Sequence, residues 1–227
     1  MLTIPLNNFR HYWVLADRKN EFPLELGGNC IHHVDTLKSE LDQEVEFLRV
    51  RNGFHVAALI DGKFLDTCFL QKEPLRVDLD FSTSKLLTLG QGRVDVSRLK
   101  VNYLHVEWLY QQPNGQLQTT VFDFDILSPF SNSPDLRLLE LQKGTSKIFY
   151  LRFLDVSSGF LRVFCLDRIR GDFYWTYNIF PKKAFRNPVD SEFSVALQDS
   201  LGVSVDFVQQ CMLESSELAF DFWDLQR

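Results

Sequence analysis

The sequence predicts a mainly β protein of antiparallel meanders, sandwich- or barrel-like, that ends in a small α-helical hairpin. Three observations carry this expectation. Glycine-containing turn signals recur between short β-prone runs, aromatic residues are plentiful with 21 Phe among them, and after Pro188 the apolar spacing changes from two residues to a helical period.

Composition sets the frame for these elements. The chain has 227 residues, 45% of them hydrophobic and 24% charged, enough apolar surface to offset the entropy of ordering one β unit or two closely packed ones. No uninterrupted apolar run approaches roughly 18 residues, and Met1 to Leu6 carries neither a basic segment nor a following apolar stretch. The expectation is a cytoplasmic protein with no membrane contact. The net charge of −6 is formed with dispersed basic residues, so nucleic acid is not an expected partner, because phosphate binding draws on clustered Lys and Arg. Four scattered cysteines, Cys30, Cys68, Cys165 and Cys211, contain no Cys-x-x-Cys pair and read as reduced core thiols.

The elements follow in order. Phe9 to Ala16 reads as a strand, and Asp35 to Leu41 as a short helix or a loop. Residues 44–70 form a three-stranded meander, because Asn52-Gly53 and Asp61-Gly62 separate β-prone runs and both pairs tolerate the positive φ of tight hairpin turns. Strands are expected at Leu75 to Phe81 and Val94 to Val96, then a long hairpin of Val101–Gln111 with Leu117–Leu127 around Pro113-Asn114-Gly115. Ser128 to Pro134 is the clearest linker. A second meander spans residues 148–180, turning at Ser157-Ser158-Gly159 and Arg170-Gly171-Asp172. Gly53 to Asp61 aligns without a gap on Gly159 to Asp167, and Leu48-Arg49 echoes Leu151-Arg152, which raises an internal duplication. In domain terms the expectation is a β body over 1–187, with two related halves joined near 128–134, and a helical hairpin with an acidic-aromatic tail over 188–227. There Phe193, Ala196, Leu197 and Leu201 share one helical face, Asp190 or Ser191 caps the start, Gly202 ends it and Ser204 caps a second helix.

Leu201-Gly202-Val203-Ser204 followed by Val208 resembles the turn of helix-turn-helix proteins, which implies a DNA-reading second helix. That helix carries Asp206 and Glu214 and no Lys or Arg, and Gln198 stands where the family prefers Ala; a packing hairpin is the expectation.

Two strands carry Asp-x-Asp, Asp78 with Asp80 and Asp123 with Asp125. Period-two alternation places each pair on one face, where neighbouring strands could bring four carboxylates onto a hard cation. The same pattern is also how a half-exposed strand reads, so these four are weak metal candidates and no metal or other cofactor is expected. Cys30, His32, His33 and Asp35 concentrate ligand-type atoms, yet an extended backbone splits them two to a side. The segment reads as a turn at Gly27-Gly28-Asn29 entering a strand. No Gly-x-Ser-x-Gly elbow marks a nucleophile; the five histidines leave a triad open without pointing to one, and the protein is expected not to be an enzyme.

Two aromatic features remain. Phe173, Trp175 and Tyr177 share one strand face, and Phe220, Phe222 and Trp223 lie among the acids of the tail. The expected function is therefore a non-catalytic scaffold that binds another protein, or a second copy of itself, through these six residues. A β-barrel holding a small apolar ligand is the alternative, and a metal-dependent hydrolase using the Asp-x-Asp strands is a third reading.

Overall fold

The computed structural model describes residues 5–10, 13, 26–51, 55–69, 71, 74–76, 86–89, 92–95, 99–100, 103–125, 146–179, 181 and 184–224. The chain runs β1 (Leu6–Asn7), α1 (Cys30–Glu40), β2 (Val45–Arg49), β3 (Val56–Ile60) and β4 (Lys63–Leu65). A 3-10 turn at Thr67–Phe69 is followed by β5 (Leu75–Arg76), β6 (Leu86–Leu89), β7 (Gly92–Asp95), β8 (Leu99–Lys100), β9 (Tyr103–Gln111) and β10 (Leu117–Asp125). Then come β11 (Ile148–Leu154), β12 (Leu161–Asp167), β13 (Asp172–Thr176), α2 (Ser191–Leu201) and α3 (Val205–Asp224). The fold is mainly β with antiparallel ladders and a C-terminal helical pair, and contacts divide it into two compact units.

The first unit comprises Met1–Ile4 and Cys30–Leu139. Its first sheet is the meander β2-β3-β4-β5, in which Phe47 pairs with Ala58 and Ala58 with Leu65. The β3–β4 turn is closed by Asp61 and Gly62 with φ of 47° and 72°, the double left-handed geometry that the Asp-Gly pair predicts. Its second sheet has the order β10-β9-β7-β6, with β8 also pairing β9. A bridge of Val50 to Phe124 joins the edge of β2 to β10. Apolar side chains alternate inward along β9, so Leu104, Val106 and Trp108 are buried, and Trp108 stacks on Phe69 with ring centroids 4.8 Å apart. Phe64 meets Phe124 at 5.3 Å.

Where the sequence predicts a strand entry after Gly27-Gly28-Asn29, the chain forms α1 instead. Cys30, Ile31, Val34 and Leu37 recur at helical spacing and are all buried, so a helix hides one apolar stripe that a strand would split across two faces. The helix expected at Asp35 is present and begins five residues earlier, at Cys30. It packs on β2, β3 and the 3-10 turn.

The second unit comprises Pro5–Asn29 and Glu140–Arg227. Its sheet has the order β1-β11-β12-β13, and α2 and α3 close one face through Phe149, Leu151, Phe164, Phe193, Leu197, Val208 and Met212. Every residue of β12 is buried, because Val163, Cys165 and Tyr174 form a smaller cluster on the other face. Asp190 caps α2 by accepting the Phe193 N–H, Gly202 ends it at φ 73°, and the Ser204 hydroxyl accepts the Phe207 N–H to start α3. Arg10 and Trp13 take helical backbone within the stretch expected as a strand at Phe9 to Ala16; its other residues after Arg10 lie outside the described set.

The two meanders differ in register. Leu48 pairs with Ala57, whereas Leu151 pairs with Phe164, one position beyond the residue that the gap-free alignment sets against Ala57. A slip of one residue moves side chains to the opposite face, so the ladders do not superpose in that alignment.

Candidate functional site

The described residues bring together a thiol, an imidazole and a carboxylate in the first unit. Cys30 is the first residue of α1, where the positive end of the helix dipole favours a thiolate. His55 directly precedes β3. Asp66 directly follows β4, one residue past the Ala58 to Leu65 pair, so the tight Asp61-Gly62 hairpin folds the two toward each other.

His55 Nε2 and Asp66 Oδ2 are 2.6 Å apart. Cys30 acts on the same imidazole through its charge and a side-chain hydrogen bond, both of which favour the protonated ring. Burial by itself lowers the basicity of this ring. The charge and hydrogen bond of Asp66, followed by those of Cys30, outweigh burial and raise His55 to about 9. An imidazolium held beside a sulfur at a helix start is the arrangement that stabilises a thiolate nucleophile.

The carboxylate is fixed from several sides. Asp66 Oδ1 accepts the Cys68 N–H at 3.1 Å, the Asp66 N–H donates to Gln71 Oε1 at 2.9 Å, and Gln71 Nε2 donates to the Phe64 carbonyl at 2.9 Å. The ring of His55 is walled by Phe122 at 4.6 Å, Phe69 at 5.6 Å and Phe124 at 5.7 Å. The Asp66 side chain is 1% exposed and that of His55 13%, which leaves only the imidazole in partial contact with solvent. Such a dry setting strengthens the Asp66 to His55 interaction relative to water.

All four cysteines are buried and form no disulfide, but their settings differ. Burial pushes the Cys165 thiol up to about 12 and the Cys211 thiol up to about 11. Among the causes acting on these two thiols there is no imidazole.

The residues singled out from the sequence are placed elsewhere. Trp175 stacks on Phe193 of α2 at 5.5 Å and donates Nε1–H to the Pro188 carbonyl. Tyr177 meets Trp175 edge-on at 5.1 Å, and Phe173 lies 5.7 Å from Phe164. Trp175 is thus covered by the chain's own helix, and Phe173 and Tyr177 are half-buried against the same core. Phe220, Phe222 and Trp223 belong to the backbone of α3, and their side chains lie outside the described set. Asp78 and Asp80 lie outside the described residues. Asp123 and Asp125 are on β10, where Asp123 Oδ1 sits 2.6 Å from His105 Nδ1. Among the described residues no group of three His, Cys, Asp or Glu is placed to hold a metal ion.

Sequence reasoning missed the Cys30, His55 and Asp66 trio, although signals for it were present. A cysteine beginning an apolar stripe of helical period, followed by a hairpin with His on one strand and Asp just after the next, is a legible combination once the segment from Cys30 is read as a helix. Comparison with protein-family models, with curated proteins and with solved structures finds no match to this chain.

Proposed function

We propose that the protein is an enzyme of acyl transfer that uses Cys30 as its nucleophile, His55 as the proton shuttle and Asp66 as the group that orients and charges the imidazole. The observation supporting this is the hydrogen-bonded chain from Cys30 through His55 to Asp66, assembled from three separate elements of one unit. The Cys30 thiolate attacks the carbonyl carbon of an acyl donor, and a sulfur–carbon bond forms. The bond to the leaving group breaks as His55 gives that group its proton, which leaves a thioester on Cys30. His55, now neutral, takes the proton from an incoming amine, alcohol or water as that acceptor attacks the thioester and frees the thiolate.

This reading departs from the scaffold expected from the sequence. The scaffold rests on aromatic residues, of which Phe173, Trp175 and Tyr177 pack within the second unit's own core. A nucleophile, base and orienting acid within hydrogen-bond reach form a far more specific chemical arrangement than a strip of rings.

The test uses p-nitrophenyl acetate as a generic acyl donor. The expected result is a burst of p-nitrophenol with an acetyl group mapped to Cys30 by peptide mass spectrometry, and loss of both in Cys30→Ala. Acetylation at other residues only, or a burst unchanged in Cys30→Ala, would overturn the assignment.

A further inference from the structure

One contact near this site has no part in the proton chain. His33 lies on α1 one turn after Cys30, and at i and i+3 the two share a helix face; both are buried. Its Nδ1 is 2.8 Å from the hydroxyl of Thr67, also buried, which directly follows Asp66 and opens the 3-10 turn. The nucleophile's helix and the carboxylate's turn are thus tied to each other by a hydrogen bond that bypasses His55.

We propose that the His33 to Thr67 hydrogen bond is a positioning strap that sets the spacing between Cys30 and Asp66, so that His55 can bond both at once. The inference rests on the acyl-transfer reading of Cys30, His55 and Asp66. His55 enters from β3, and its two ring nitrogens lie on a rigid five-membered ring, so it bridges sulfur and carboxylate only when these are held a fixed distance apart. Cys30 and Asp66 come from elements separated by the whole β2 to β4 meander, and the ladder hydrogen bonds of that sheet do not involve α1. Ile31, Val34 and Leu37 pack α1 against its neighbours, and the His33 to Thr67 bond adds a directional tie between the helix and the turn. It works beside the Gln71 contacts, which tie Asp66 to the Phe64 carbonyl of its own strand.

His33 and Thr67 are positioning residues, since the role proposed for them acts through the helix and the turn that carry Cys30 and Asp66. The readout is the rate of Cys30 alkylation by iodoacetamide on the full chain, followed by peptide mass spectrometry from about pH 5 to pH 9, because that profile reports the thiolate held by the imidazolium. Thr67→Val and His33→Leu remove the same bond from opposite sides. Each is expected to slow alkylation on the acid side at least about tenfold, the scale of effect that sub-ångström misplacement produces. Thr67→Ser restores the hydroxyl, and His33→Asn places an amide where Nδ1 lies; both are expected to keep the wild-type profile. Cooperative thermal melting of each variant checks that the fold is intact, and either member of the removing pair reads the bond if the other fails to fold.

Profiles of Thr67→Val and His33→Leu that superimpose on the wild type, in a protein whose acid-side reactivity does depend on Asp66, would overturn the strap alone. A wild-type Cys30 that reacts only as an ordinary thiol, with a single rise near about pH 8.5 and no change in Asp66→Asn, would overturn the underlying site and the strap with it.

Discussion

Replacing Asp66 by Asn removes one charge and keeps the side chain's shape, which makes it the cleanest perturbation of the proton chain. Wild-type His55 is raised from 6.5 to about 9 against the opposing effect of burial. That rise corresponds to roughly 3 kcal/mol of preference for the charged ring. In Asp66→Asn the Oδ1 position can still accept the Cys68 N–H, now made by Asp66 Oδ1 at 3.1 Å. The amide then presents N–H groups to His55 Nε2, which must accept instead of donate. The ring proton moves to Nδ1, and a neutral ring in that tautomer with Nε2 accepting has no free nitrogen to take a proton from sulfur. With the carboxylate gone, burial prevails and His55 is expected to titrate below 6.5. Nitrogen-15 NMR of labelled histidine follows the ring directly: a titration near 9 in the wild type and one below 6.5 in the variant are expected. Acylation of Cys30 should fall in parallel by roughly 10²-fold or more. A wild-type ring that titrates near 6.5, or a variant ring that still titrates near 9, would refute the reasoning that Asp66 charges His55.

Other parts of the fold give further expectations. In the second unit, buried Asp155 is pulled down to about 2 despite burial, by the hydroxyls of Ser157 and Ser158, by the Ser157 N–H and by the Arg162 guanidinium, whose Nε donates to it at 2.8 Å. Because this folded value lies below the usual carboxylate range, its contribution is present above about pH 4 and is lost as pH falls toward 2. Urea denaturation should show a loss on the order of 2 kcal/mol across that window, absent in Asp155→Asn. At neutral pH that variant leaves the buried Arg162 with the exposed Glu192 at 3.4 Å in place of its 2.8 Å carboxylate partner and should be less stable than wild type by up to roughly 3–5 kcal/mol; an equal midpoint at both pH values would count against the pair. Gly62 has open space around a Cβ but a φ of 72°, so Gly62→Ala should cost roughly 1–2 kcal/mol in the same assay, and a neutral effect would contradict the left-handed turn.

Much of the fold was legible because turns and periods are local. Asp61-Gly62 announces its own hairpin, Gly115 and Gly159 take positive φ inside the turns expected there, and Asp190, Gly202 and Ser204 mark the helix ends through side-chain and backbone chemistry that needs no tertiary partner. The segment from Cys30 was not legible in the same way. Its run of Cys-Ile-His-His-Val contains β-branched residues that favour strands in isolation, and helix α1 becomes favourable only when Ile31, Val34 and Leu37 find β2 and β3 to cover them. That one misreading hid the site, since an extended Cys30 has no helix end beside it. The aromatic strip shows the same limit: alternation shows that Phe173, Trp175 and Tyr177 share a face, but not that Phe193 of the same chain stacks on Trp175.

The most direct test of the central claim is competition among the protein's own four thiols. The native protein is treated with substoichiometric iodoacetamide near pH 6, and each cysteine's modified fraction is read by peptide mass spectrometry. Cys30 should be modified well ahead of Cys165 and Cys211, because its sulfur is paired with an imidazolium while burial keeps those two protonated far above that pH. Equal labelling of the four, or labelling of Cys30 that is unchanged when His55 is replaced by Ala, would contradict the assignment of a thiolate nucleophile.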